Sequence, residues 1–198
     1  QYGSRGKELA GILAKKLDLP IYDEDMIKLA SKELDIDENI LKKDEEAPRN
    51  ELVHALTAGS MFAAKEYEAS TSDKMFDIQS QIILDLAKKS SCIIVGRCSN
   101  YVLDQAKIPT TDIFVVANLE DRIKHADRDN LNYEKAKQHV NKTEKRREAY
   151  FNYYTSYEWG NPQYCDLCVN TSNKDMDELA EHIARYIDLN HIKEGKNA

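Results

Sequence analysis

Cys92-Ile93-Ile94-Val95-Gly96 is an unbroken apolar run that ends in glycine and is followed at once by Arg97. A strand with water on one face alternates polar and apolar residues. This run does not, so it reads as a strand covered on both faces, the kind found in parallel sheets. Asp112-Ile113-Phe114-Val115-Val116 repeats the pattern, and Leu167-Cys168-Val169-Asn170 is a last, shorter instance.

The segments between these runs carry helical spacing. Leu9, Leu13 and Leu17 recur four apart with Ile12 beside them, which predicts an amphipathic helix over Gly6 to Leu17 that ends before Pro20. Pro20 to Tyr22 reads as a short strand and Asp23 to Leu34 as a helix with acidic residues in its first turn. Residues 35–72 are densely charged and interrupted by Pro48, and read as two or three helices of a lobe. Further helices are expected over Phe76 to Lys89, from about Leu119, over Tyr133 to Phe151, and over Asp175 to Leu189, with a frayed tail after Ile192. Strands alternating with helices predict a three-layer α/β/α fold around a parallel sheet of about five strands. One domain over 1–198 is expected, with a helical insertion at 35–90 and a lid region at 127–160. In such sheets ligands sit beyond the carboxyl ends of the strands.

A net charge of −7 excludes a broad basic footprint for nucleic acid, so anions must be held by local donor clusters. No apolar run approaches the roughly 20 residues of a membrane span. Four cysteines among 198 residues do not make a disulfide scaffold, which points to reduced thiols and a cytoplasmic setting. Cys165 and Cys168 have a Cys-x-x-Cys spacing, but residues three apart on a strand face opposite ways, so zinc is discounted and no metal ligand is assigned. The five histidines are scattered.

The chain opens Gln1-Tyr2-Gly3-Ser4-Arg5-Gly6-Lys7-Glu8 and runs directly into the first helix. Small residues let backbone N–H groups crowd around an anion, and the helix adds its free N–H groups and positive dipole end. Lys7 or Arg5 can reach a β- or γ-phosphate. Compared with Gly-x-x-x-x-Gly-Lys-Ser/Thr, the first glycine is missing and Glu8 replaces the hydroxyl residue. The alternative reading is a turn that caps a surface helix. A phosphate loop follows a strand, so a strand upstream of residue 1 is expected.

Tyr2-Gly3-Ser4-Arg5-Gly6-Lys7-Glu8 resembles the Tyr-Gly-Ser-Gly-Gly-Arg-Glu loop of the cytidylate kinase-like family. Pro20-Ile21-Tyr22-Asp23, the run from Cys92 to Leu103, the segment from Thr143 to Thr155, Trp159-Gly160, and Tyr164 to Asn170 resemble later segments of that family in the same order. The resemblance implies a P-loop nucleoside monophosphate kinase fold with a helical acceptor lobe and a lid, using ATP and Mg2+ on small nucleotide substrates. It departs at Arg5, where the family prefers glycine, and at Asn100, where aspartate is usual.

Arg97 leaves a buried strand at its carboxyl end, where its planar fork suits a phosphate, or else a nearby carboxylate. Lys142, Lys145, Arg146 and Arg147 form a basic cluster on one helix, which is either a solvated face or a lid that neutralises transferring phosphate. The resemblance makes Arg146 and Arg147 the lid candidates. Asp23 is either an acceptor-site hydrogen-bond partner or a helix N-cap. Asp73 and Gln79 join the acceptor site on the ground that their helix lines the lobe. The candidate set is therefore Gly3, Ser4, Arg5, Gly6, Lys7 and Glu8 for ATP. Asp23, Asp73, Gln79, Arg97 and Asn100 are set for the acceptor, and Lys7, Arg97, Arg146 and Arg147 for catalysis. The expected activity is phosphorylation of CMP or dCMP. Alternatives are a kinase for another small acceptor, a nucleotide-binding regulatory module without turnover, and a structural scaffold. No nucleic-acid or membrane partner is expected, and monomer and homodimer both stay open.

Overall fold

The computed structural model describes residues 1–23, 63–126 and 132–194. Helix α1 spans Gly6–Leu17 and is followed by strand β1 at Ile21–Tyr22. Helix α2 spans Ala63–Lys89, strand β2 Ile93–Ile94 and helix α3 Ser99–Gln105. Strand β3 (Ile113–Val116), helix α4 (Leu119–Ala126) and helix α5 (Tyr133–Tyr154) come next. A 3-10 turn at Pro162–Tyr164, strand β4 at Leu167–Asn170 and helix α6 at Met176–Glu194 complete the order. The helix expected over 23–34 and most of the lobe over 35–72 lie outside the described residues.

The strands are parallel, but the expected sheet of about five strands is not what the described residues form. They form two pairs: β1 with β2 (Ile21 opposite Ile93, Tyr22 opposite Ile94) and β3 with β4 (Ile113 opposite Leu167, Val116 opposite Asn170). The runs in β2 and β3 are half-buried rather than buried on both faces. The pairs nonetheless share one core. Leu9 and Leu13 of α1 and Met176, Ala180 and Ile183 of α6 are buried together. Ile93 of β2 packs against that cluster, as do Ile113, Val115, Leu167 and Val169 of the other pair. Truncating Leu9, which is 1% exposed, removes contacts worth about 2–5 kcal/mol.

A second core holds Ile83 of α2 with Val102 and Leu103 of α3 under β1 and β2. A third joins Ile123 of α4 to Ala136 and Val140 of α5, with Tyr2 packed on it. Helix α2 begins at Ala63, well before the expected Phe76. Residues 63–75 contain no glycine or proline to stop a helix, and their sparse apolar residues hid the periodicity. Asn132 caps α5 by accepting from the Lys135 N–H (3.0 Å), and Asp175 caps α6 by accepting from the N–H groups of Asp177 and Glu178 (3.0 and 2.9 Å).

Asp112 enters β3 with its carboxyl half-buried. Burial pushes that carboxyl up to about 6, with Asp166 and Asp104 adding to the rise and a Thr110 hydrogen bond opposing it. The folded state then binds a proton more tightly than the unfolded chain, so ionising Asp112 costs stability as pH rises from about 4 to about 6. Asp112→Asn should flatten that part of the stability curve. Melting temperatures of both proteins across this window check it, and parallel curves would remove Asp112 as the cause.

Candidate active site

The opening loop is moored to the carboxyl ends of β3 and β4. The Gln1 backbone nitrogen donates to the Val115 carbonyl (2.6 Å), and the Ala117 N–H donates to Gln1 Oε1 (3.4 Å). The Thr171 hydroxyl, just past β4, donates to the Ser4 carbonyl (2.8 Å). Ser4 is 1% exposed, and its own hydroxyl donates back to the Gln1 carbonyl (2.7 Å). Its side chain thus shapes the loop from within. Gly3 has φ +80°, and a Cβ there would lie 2.4 Å from the Arg122 carbonyl oxygen. No other residue fits.

Arg5 is left-handed (φ 61°) and leads into α1 with no side-chain cap. Its guanidinium grips Glu8 through two hydrogen bonds of 2.8 and 2.6 Å. This hydrogen bond, ahead of charge attraction, holds the Glu8 carboxyl below its usual range. The cation at position 5 is therefore turned onto the carboxylate that stands where a hydroxyl residue is usual. The first N–H groups of α1 remain available to an anion.

Lys7 extends from this first turn and pairs with Asp23 (2.6 Å), which follows β1. The Val95 N–H donates to the Tyr22 carbonyl (3.1 Å), so β2 leaves the sheet beside β1 at the same edge. There Gly96, Arg97 and Cys98 are left-handed in succession (φ 76°, 59° and 54°). Two non-glycine residues in this region cost about 1–2 kcal/mol each. The elbow turns the chain into α3, which also starts without a side-chain cap. Cys98 is its apolar anchor: it is 5% exposed, and burial pushes its thiol up to about 12 against the opposing field of Arg97. Asn100 lies in the first turn of α3. Two helices with Asn or Asp caps, α5 and α6, contrast with two uncapped ones, α1 and α3, that open beside the strand ends.

The expected lid arginines lie on α5. Arg147 sits over the Tyr2 ring, 5.1 Å from its centre, which brings it against the loop. Arg146 has a buried Nε with no hydrogen-bond partner among the described residues. Lys142 and Lys145 are exposed. Asp73 accepts from the Tyr154 hydroxyl (3.3 Å), and Tyr154 stacks on Phe76 at 4.4 Å, so α2 and the end of α5 meet through these side chains. Gln79 is buried within α2. Arg122 and Glu144 also bound the loop, and nothing in the sequence singled them out. Glu144 fell inside the matched lid segment, but its neighbouring arginines drew the reading. Among the described residues no group of three or more His, Cys, Asp or Glu side chains is arranged to hold a metal ion, and no helix is long and apolar enough to cross a membrane.

The model of the cytidylate kinase-like family matches residues 1–173. No curated protein matches. A solved structure titled as an uncharacterized protein from Eubacterium ventriosum ATCC 27560 is similar over 94% of this chain and 93% of its own, with 22% identity and a TM-score of 0.68. That likeness concerns the fold.

Two substitutions test the loop geometry. Arg5→Gly should leave stability unchanged or raise it by up to about 1 kcal/mol, because relief of the left-handed strain outweighs the exposed pair with Glu8. Gly3→Ala should cost more than about 2 kcal/mol, since both φ and space exclude it. Urea unfolding midpoints measure both; equal midpoints for the two variants would contradict this account of the loop.

Proposed function

The chain belongs to the cytidylate kinase-like family, and from that premise we propose that it transfers the γ-phosphoryl group of ATP to a nucleoside monophosphate, CMP or dCMP. The observation that carries this reading is the meeting of two uncapped helix starts at one strand edge, with Lys7 on the first and Arg97 in the elbow before the second. A phosphoryl transfer needs two anionic groups brought together under positive charge, and little covalent chemistry from the protein.

In this reading the N–H groups at the start of α1 and the Lys7 ammonium hold the ATP phosphates, with Lys7 exchanging Asp23 for phosphate. Arg97 grips the acceptor phosphate bidentately. An acceptor phosphate oxygen forms its bond to the γ-phosphorus as the bond from that phosphorus to the β–γ bridging oxygen breaks, and ADP leaves. Arg146 and Arg147 neutralise the charge on the transferring group. The buried, unpartnered Nε of Arg146 suits an anion. Mg2+, when bound, would supply charge neutralisation to the nucleotide phosphates. Glu8 is held by Arg5 and the Ser4 hydroxyl is turned into the loop, so the ion would be held by the nucleotide phosphates and water rather than by a protein cage. Four free cysteines fit a cytoplasmic setting, where both nucleotides are found.

The Arg5–Glu8 pair favours one second reading, a module that binds nucleotide without turnover. A coupled assay of ADP release separates the two. With CMP as acceptor, Arg97→Ala should lower turnover by roughly 100-fold or more while the circular dichroism spectrum stays unchanged. Unchanged turnover removes Arg97 from the site. Binding of ATP by the wild type without ADP formation, across a panel of monophosphates, establishes the second reading instead.

A further inference from the structure

Residues 1–4 make one tight turn. The Ser4 N–H donates to the Gln1 carbonyl (3.3 Å), and Gly3, third in the turn, has φ +80°. A positive φ at that position marks a type II turn and selects glycine. Types I and II differ in their central peptide, which is turned over between them. Here that peptide joins Tyr2 to Gly3.

Arg122 of α4 decides which way it faces. Its Nε donates to the Tyr2 carbonyl (2.9 Å), and its own carbonyl oxygen lies 2.4 Å from where a Gly3 Cβ would stand. Its second nitrogen donates to Glu144 Oε2 (3.3 Å), which also accepts from the Tyr2 N–H (2.8 Å). The other Glu144 oxygen accepts from the indole N–H of Trp159 (3.0 Å), so the carboxylate is itself fixed. The Arg122 and Glu144 side chains are largely shielded, at 10% and 16% exposed. A trans peptide points its N–H opposite its carbonyl. With the Tyr2 carbonyl on Arg122, the Gly3 N–H faces away from that guanidinium. Among the described residues no hydrogen bond uses it. It shares the opening loop with the free N–H groups at the start of α1.

We propose that Arg122 is a positioning residue: by holding the Tyr2 carbonyl, it presents the Gly3 N–H to the phosphates of the donor nucleotide. The inference rests on the kinase reading. In the turned-over peptide the Tyr2 carbonyl takes the place of that N–H and meets phosphate with the negative end of its dipole. One orientation adds a charge-assisted hydrogen bond, and the other replaces it with a repulsion. Arg122 acts from behind the loop, through the peptide rather than on the nucleotide. Glu144 compensates the shielded guanidinium through its second nitrogen, which leaves Nε to the carbonyl.

The test follows the backbone amide resonances of the isotope-labelled chain during an ATP titration, and measures ATP and CMP affinities by calorimetry. In the wild type, saturation with ATP should move the Gly3 N–H proton downfield, as for an amide that gains an anionic acceptor. In Arg122→Met that response should disappear. ATP affinity should fall roughly tenfold, the loss of one hydrogen bond to a charged group, with CMP affinity unchanged. A merely structural defect lowers the fraction of chains that bind and leaves both affinities as they were. Arg122→Met leaves Glu144 uncompensated, so the double variant Arg122→Met/Glu144→Gln, which removes both charges, carries the same expectation if the single variant does not fold. A wild-type Gly3 resonance that stays in place while ATP moves those of Gly6 and Lys7 overturns the proposal. So does a folded variant whose ATP affinity matches the wild type, or falls in step with its CMP affinity. A wild type that gives no heat with ATP and no shift anywhere in the loop overturns the kinase reading, and this proposal falls with it, a result distinct from the other two.

Discussion

The bonds that moor the opening loop to the strand ends set everything downstream of them. The contacts of Gln1 with Val115 and Ala117, and of Thr171 with Ser4, fix where α1 starts relative to the β3–β4 pair. With its start held, α1 packs Leu9 and Leu13 against α6 and both strand pairs, and presents its free N–H groups at the carboxyl edge. The hydrophobic core and the proposed anion-binding surface are thus two faces of one helix. A loop that shifted by an ångström would disturb both.

Among the described residues, three of the six left-handed non-glycine positions lie where function is proposed, and Asp18, Lys107 and Asn173 lie elsewhere. Arg5, Arg97 and Cys98 adopt backbone angles that side chains disfavour, and α1 and α3 forgo the caps that stabilise α5 and α6. Each departure costs free energy that a stability-driven design would avoid. The surrounding contacts hold them in place: Cys98 is buried under its elbow, Ser4 is buried under its loop, and Arg122 closes over Gly3. At Arg5 the strain has a visible companion in the bidentate grip on Glu8.

Helix α5 carries the segment expected as a lid, and it meets the loop. Arg147 on Tyr2, Tyr154 on Phe76, and Trp159 against Phe151 connect it to the loop, to α2 and to β3. Aromatic rings make these joints because they bury area while leaving polar tips free to hydrogen-bond. A basic, sparsely apolar helix can in this way be bound to its neighbours without a continuous hydrophobic stripe.

Local pattern was enough for the parallel strands, the helix after the loop, the strand-end position of Arg97 and the family, because each rests on residues adjacent in sequence: an apolar run, a periodic stripe, a matched motif. It misjudged the start of α2, where helical propensity acts without periodicity, and it left the extent of the sheet open, because an apolar run reports a preference for burial but not how many neighbours pair with it. It was silent on Glu144, Arg122 and Trp159 as a unit. Positions 2, 122, 144 and 159 converge because α4, α5 and the strand ends pack around one loop. Contacts across 142 and 120 residues of chain leave no trace in local spacing, so folding alone brings them together.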